Sequence, residues 1–247
     1  MDARRVIVGI ALVGFGTTAA VAQLSTSDQA AVDAYRSAIR SAESGPPSRG
    51  IEAAFSALVS MRDVLMRVQN GHRTVLESLP DEAFMRLARE LRGAVINREE
   101  VVLVEPDLDY FQKLAAAQGD GADRAFFAAL KATYPESVWP VYVEQQTDAG
   151  GCTRFGSMSL VKTYRAWADF QRKYPGRYPG AASREVDAVL KHLTESTCAC
   201  GNIATVEQEL QQFLGSVPPS SARDKVDQRL QALRARQSGI RTSCVAG

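Results

Sequence analysis

The chain has 247 residues, of which 45% are hydrophobic, 7% aromatic and 23% charged. That is ordinary globular composition, long enough for a sizeable core, and it excludes disorder, collagen and a multi-span membrane protein. A formal net charge of +1 argues against nucleic acid as a partner, since long-range attraction to a polyanion needs a basic excess.

Residues 1–22 read as an export leader. Arg4 and Arg5 give a positive start, residues 6–15 are apolar, and Ala20-Val21-Ala22 supplies the small-x-small pattern that a signal peptidase accepts. Ten residues rise only about 15 Å as a helix, about half of a bilayer core, which disfavours an anchor. Cleavage there removes Asp2, Arg4 and Arg5 and leaves a neutral remainder with no further membrane span. Residues 23–247 are then expected to form a single helical domain, with a candidate internal boundary near 119–121, in the periplasm or outside the cell.

All four cysteines, Cys152, Cys198, Cys200 and Cys244, lie beyond the leader. An even count in an oxidising compartment reads as two disulfides. A bridge within Cys198-Ala199-Cys200 would close a strained ring. The favoured pairing joins Cys152 to one member of that pair and Cys244 to the other. The competing reading is a metal site formed by Cys198, Cys200 and His192, which would need a distant fourth ligand.

Helical periodicity dominates the rest. Ser27 is a candidate N-cap for a helix over 28–43, with Ala31, Tyr35, Ala38 and Ile39 near one face. Gly45-Pro46-Pro47 ends it. Ile51, Phe55, Leu58, Met61, Leu65 and Val68 mark a second helix, ended by Asn70-Gly71. A third follows Ser78, with Pro80 in its first turn and a Phe84, Leu87 and Leu91 stripe. Residues 94–96 and 101–104 favour a small β-hairpin through their β-branched side chains. Asp107 caps a helix to 118. Further helices are expected over 122–133, 136–146, 159–173, 182–197, 206–214 and 222–237, with Thr205 and Gln208 as a capping box. The expected fold is all-α: about ten helices, arranged as a helical-hairpin array or an irregular bundle, with one small hairpin and two disulfides.

Three of these helices end alike. Phe127, Leu130 and Tyr134-Pro135, then Trp167, Phe170 and Tyr174-Pro175, then Leu210, Phe213 and Val217-Pro218 place large apolar residues seven and four positions before the residue preceding proline. Those offsets share one helical face, and proline stops the helix. The intervals fall in the range of helical-hairpin repeats. The pattern resembles tetratricopeptide-type arrays in its pairing of helices but lacks their small-residue signature, so membership is not implied.

Catalytic motifs such as G-x-S-x-G, H-E-x-x-H or a Walker loop are absent from the sequence. His72 and His192 read as loop and packing residues. Glu105, Asp107 and Asp109 form an acidic cluster, and carboxylates about 5–9 Å apart can hydrolyse glycosides. Glu144 is a further candidate. The same carboxylates equally suit a helix start. Trp139, Tyr142, Gln145 and Arg154 combine aromatic faces with polar groups and form a candidate binding surface. The last helix carries Arg223, Lys225, Arg229, Arg234 and Arg236, which read as a solvated face. The leading expectation is an exported scaffold that binds a protein or envelope component, without catalysis, cofactor or metal. A cell-wall glycan hydrolase using paired carboxylates is the first alternative, and a metal-binding helical protein the second.

Overall fold

The computed structural model describes residues 24–45, 50–69, 71–134, 146–148 and 150–242. The leader, Trp139, Tyr142, Glu144, Gln145 and Cys244 lie outside them, as does almost all of the helix expected over 136–146.

Helix α1 (Thr26–Ser44) buries Val32, Tyr35, Ile39 and Ala42 at helical spacing. Its N-cap is Ser25, not Ser27, because the Ser25 hydroxyl accepts the free Asp28 N–H. Helix α2 (Gly50–Leu65) buries Ile51, Ala54, Phe55, Leu58, Met61 and Leu65. It packs antiparallel on α1, and Arg67 beyond its end pairs with Asp28 near the start of α1 at 2.8 Å. The helix stops at Leu65, short of Asn70, because Val68–Gln69 (β1) turns back onto Arg73–Thr74 (β2).

Helix α3 (Asp81–Glu90) follows Pro80, which is its N-cap and not part of its first turn. The expected hairpin is present as β3 (Ala94–Asn97) and β4 (Leu103–Pro106), antiparallel with Ile96 opposite Val104. The second strand begins two residues later than expected. Helix α4 (Leu108–Gln118) is capped by Asp107, whose carboxylate accepts Tyr110 N–H at 3.0 Å. Helix α5 (Gly121–Thr133) starts with a reciprocal capping box between Asp120 and Asp123.

The chain then runs strand–helix–helix twice. Strand β5 (Thr153–Arg154) precedes α6 (Ser159–Lys173) and α7 (Pro179–Glu195); β6 (Cys198–Cys200) precedes α8 (Ile203–Ser216) and α9 (Ser221–Arg234). A last strand, β7 (Arg241–Thr242), completes a parallel sheet in the order β5-β6-β7, with Thr153, Ala199 and Thr242 in register. This sheet corrects the all-α expectation: the fold is mostly helical, with nine helices and three small sheets among the described residues. Its strands are two or three residues long, too short for period-two patterning to reveal. Asn202 caps α8 through Thr205 N–H, so the helix starts earlier than the Thr205–Gln208 box predicts. The three matching helix ends are real features of α5, α6 and α8. Tyr134, Tyr174 and Val217 donate their N–H groups back to Leu130, Phe170 and Phe213 at 3.0, 2.9 and 2.9 Å.

Among the described residues one disulfide is present, Cys152–Cys198, with Cα atoms 4.7 Å apart. It follows the expected pairing of Cys152 with the C-x-C segment. Cys200 is not a free thiol, and the expected bridge to Cys244 falls outside the described residues.

Helix α6 starts at Met158, which offers no side-chain cap. Glu209, fully buried on α8, takes that role across the interface and accepts Gly156 N–H at 2.5 Å. Burial pushes the Glu209 carboxyl up from its ordinary value, and the N–H groups of Gly156, Met158, Leu160 and Val161 pull it back less strongly.

Candidate binding cleft

The acidic cluster does not converge. Glu105 on β4 pairs with Arg62 of α2 at 3.5 Å. Burial raises its carboxyl above the usual range, against the pull of Arg62. Asp107 caps α4, and Asp109 pairs with Lys131 of α5 at 2.9 Å. Each carboxylate is held by a different element, so the glycosidase arrangement does not form from these three; Glu144 lies outside the described residues. So do Trp139, Tyr142 and Gln145, which leaves Arg154, exposed on β5, as the described member of the expected binding surface. The neighbouring Gln146 is buried, and its carbonyl accepts Arg154 N–H at 2.8 Å.

Cys198 is spent in the disulfide, which removes its thiolate from the set Cys198, Cys200 and His192. His192 Nδ1 instead meets Thr153 Oγ1 at 3.2 Å. Among the described residues no cluster of three or more His, Cys, Asp or Glu side chains could hold a metal. The basic last helix is largely occupied too. Arg223 donates to Val217 O, Arg229 to Ser196 O and Ser238 O, and Arg234 pairs with Glu207.

A charged hub sits where α2, α5 and the α6–α7 turn meet. Arg177 binds Glu52, Asp120 and Asp123 at 2.5, 2.6 and 2.7 Å, and Tyr178 donates its hydroxyl to Asp123 at 2.7 Å. Burial would raise the Asp120 carboxyl, but Arg177 and the backbone N–H groups of Asp123 and Ala122 together hold it below its ordinary value. The hub ties three elements together, and every carboxylate oxygen of Glu52, Asp120 and Asp123 accepts a hydrogen bond within it. Local patterning does not reveal it, because Glu52 and Arg177 are 125 residues apart.

An open cleft of about 700 Å³ lies between α1 and α3. Leu24, Ala30, Leu79, Ala83 and Leu87 give it apolar surface, and Thr26, Gln29, Asp33 and Arg86 give it polar walls. Arg36 closes one end by pairing with both Asp33 and Glu90. Beyond that closure lies a second cleft of about 340 Å³, lined by Arg36, Ile39, Arg40, Glu90 and Arg92. The walls are fixed from behind. Tyr35 of α1 donates its hydroxyl to Arg92 O at 2.5 Å, and Glu43 of α1 takes both Tyr110 and Arg92 at 2.5 Å. Gly93 has φ +74°, and a Cβ there would fall 2.6 Å from the Tyr110 ring, so only glycine permits this closeness. One sequence signal did point here. Helix α3 is strongly amphipathic, yet it buries only Leu87, and Ala83 and Leu87 are the apolar side chains it gives to the cleft.

No family model, curated protein or solved structure matches this chain.

Proposed function

We propose that this chain is an exported helical scaffold that binds a protein or envelope component through the α1–α3 cleft and performs no chemistry. The observation that carries the reading is the contrast between that cleft and the carboxylates. The cleft is open and mixes apolar with polar side chains, as recognition surfaces do, while Glu105, Asp107 and Asp109 are tied to separate partners. Export is supported by the leader pattern of residues 1–22 and by the Cys152–Cys198 disulfide, which suits an oxidising compartment. No helix among the described residues is long and apolar enough to cross a membrane.

The test is a pair of measurements on the mature protein. Panning a random peptide library should enrich ligands whose binding is abolished by Ala83→Trp, which fills the cleft. Zymography on purified peptidoglycan should show no clearing. Clearing that disappears in Glu105→Gln would replace this reading with the hydrolase.

A further inference from the structure

The two clefts adjoin at the Arg36–Glu90 pair, which lines both, so that a ligand laid over that pair would span them as one track. On α1, Thr26, Gln29, Asp33, Arg36 and Arg40 repeat at three and four and so lie along one face. From Thr26 to Arg40 that face runs about 21 Å at 1.5 Å per residue, the length of roughly six residues of extended peptide. The charges along it are not balanced. Asp33 and Glu90 both pair with Arg36, and Arg92 is matched by Glu43. Among the described residues the guanidinium groups of Arg40 and Arg86 make no direct hydrogen bond or ion pair, Arg40 acting on Asp33 only at longer range, and Arg36 Nε is buried without an acceptor.

We infer that this track binds an acidic polypeptide segment, with apolar side chains in the α1–α3 cleft and carboxylates against Arg86 and Arg40. The inference rests on the binding reading above and names the class of partner. Arginine recognises carboxylates through paired N–H donors, and an unmatched guanidinium at a cleft edge is the group that such a ligand would satisfy. A lipid is the weaker occupant. An acyl chain would strip water from Thr26, Gln29 and Asp33 without replacing their hydrogen bonds, whereas a peptide backbone brings its own donors and acceptors.

The experiment is fluorescence anisotropy on the mature protein. The probe is a fluorescein-labelled eight-residue peptide with alternating leucine and serine in one half and glutamate in the other, used in both chain directions. The control replaces glutamate with lysine. Sedimentation with phosphatidylglycerol vesicles forms the third arm. The acidic probe should bind saturably, weaken with added salt, and lose about tenfold in affinity in Arg40→Glu/Arg86→Glu. Both side chains are exposed, so that variant should keep the far-ultraviolet spectrum of the parent. Equal binding of the lysine peptide, an unchanged affinity in the variant, no binding of either probe, or vesicle binding in place of peptide binding would each overturn the inference. Library peptides that occupy the cleft regardless of charge would overturn it while leaving the scaffold reading intact.

Discussion

The amino-terminal core of this molecule buries 26 hydrophobic residues among those described, eight of them aromatic; the carboxy-terminal core buries 15, three of them aromatic. In the first, Phe55, Phe111, Phe126, Phe127 and Tyr178 contact one another as edge-to-face and stacked rings, with Phe126 and Tyr178 3.8 Å apart. In the second, Tyr164 and Phe213 pair at 4.7 Å. The carboxy-terminal side adds what the other lacks: a three-stranded ladder of backbone hydrogen bonds and a disulfide that joins Cys152, just before β5, to Cys198 of β6. Smaller cores leave less apolar area to offset chain entropy, and cross-links act on that entropy directly. The two regions thus reach stability by different routes, one by ring packing around a charged hub, the other by covalent and cross-helix ties.

The sharpest break of the first route is Arg177→Met. It leaves Glu52, Asp120 and Asp123 facing one another with no counter-charge, and removing one partner from a buried ion network costs about 4 kcal/mol. Urea unfolding at neutral pH should read that loss. Acid should erode the same hub in the parent. The folded Asp120 carboxyl lies below its ordinary value of 3.8, so its contribution is present above that pH and is lost as pH falls through the folded value. A parent protein whose stability holds steady below pH 4 would contradict this account.

For the second route, Cys152→Ala/Cys198→Ala opens a loop of 46 residues and should cost about 3 kcal/mol. Amide exchange should quicken in β5–β7, α8 and α9 while α1–α5 stay protected. Uniform quickening would show that the two cores do not act separately. Glu209→Gln comes next. The folded Glu209 carboxyl is raised, so its contribution is present below its ordinary value of 4.5 and declines as pH rises through the folded value. The glutamine variant should match the parent in acid and remove that decline, a difference on the order of 1 kcal/mol. The smallest effect belongs to Lys131→Ala, which breaks only the exposed pair with Asp109 and should shift stability by less than about 0.5 kcal/mol.

Helix positions were legible in the sequence because α1, α2 and α5 repeat their apolar residues at three and four, and because proline stops α5, α6 and α8. The hairpin of β3 and β4 was legible from its β-branched run. Helix starts were less so: Ser25, Ser27 and Asn202, Thr205 offer competing caps, and local pattern does not decide which hydroxyl or amide reaches a free N–H. The parallel sheet was illegible, since each strand pairs with a segment more than forty residues away. The cleft between α1 and α3 was hidden for a related reason. The apolar stripe of α3 predicts that a face is covered, and only tertiary placement reveals that part of it stands open. Glu105, Asp107 and Asp109 attracted attention as neighbours in sequence, but Arg62, Tyr110 and Lys131 draw them apart.

The alignment of β5 with β6 has a consequence for oxidation. Side chains alternate along a strand, so a slip of two residues would keep every side chain on its own face and bring Cys200, not Cys198, opposite Cys152. Inside and outside therefore do not distinguish the right sulfur from the wrong one; only the correct offset, with Thr153 beside Ala199, does so. An oxidant that acted before the two segments had docked would be choosing between near-equivalent thiols. Fidelity in this protein's cross-linking depends on the backbone being threaded first and sealed second.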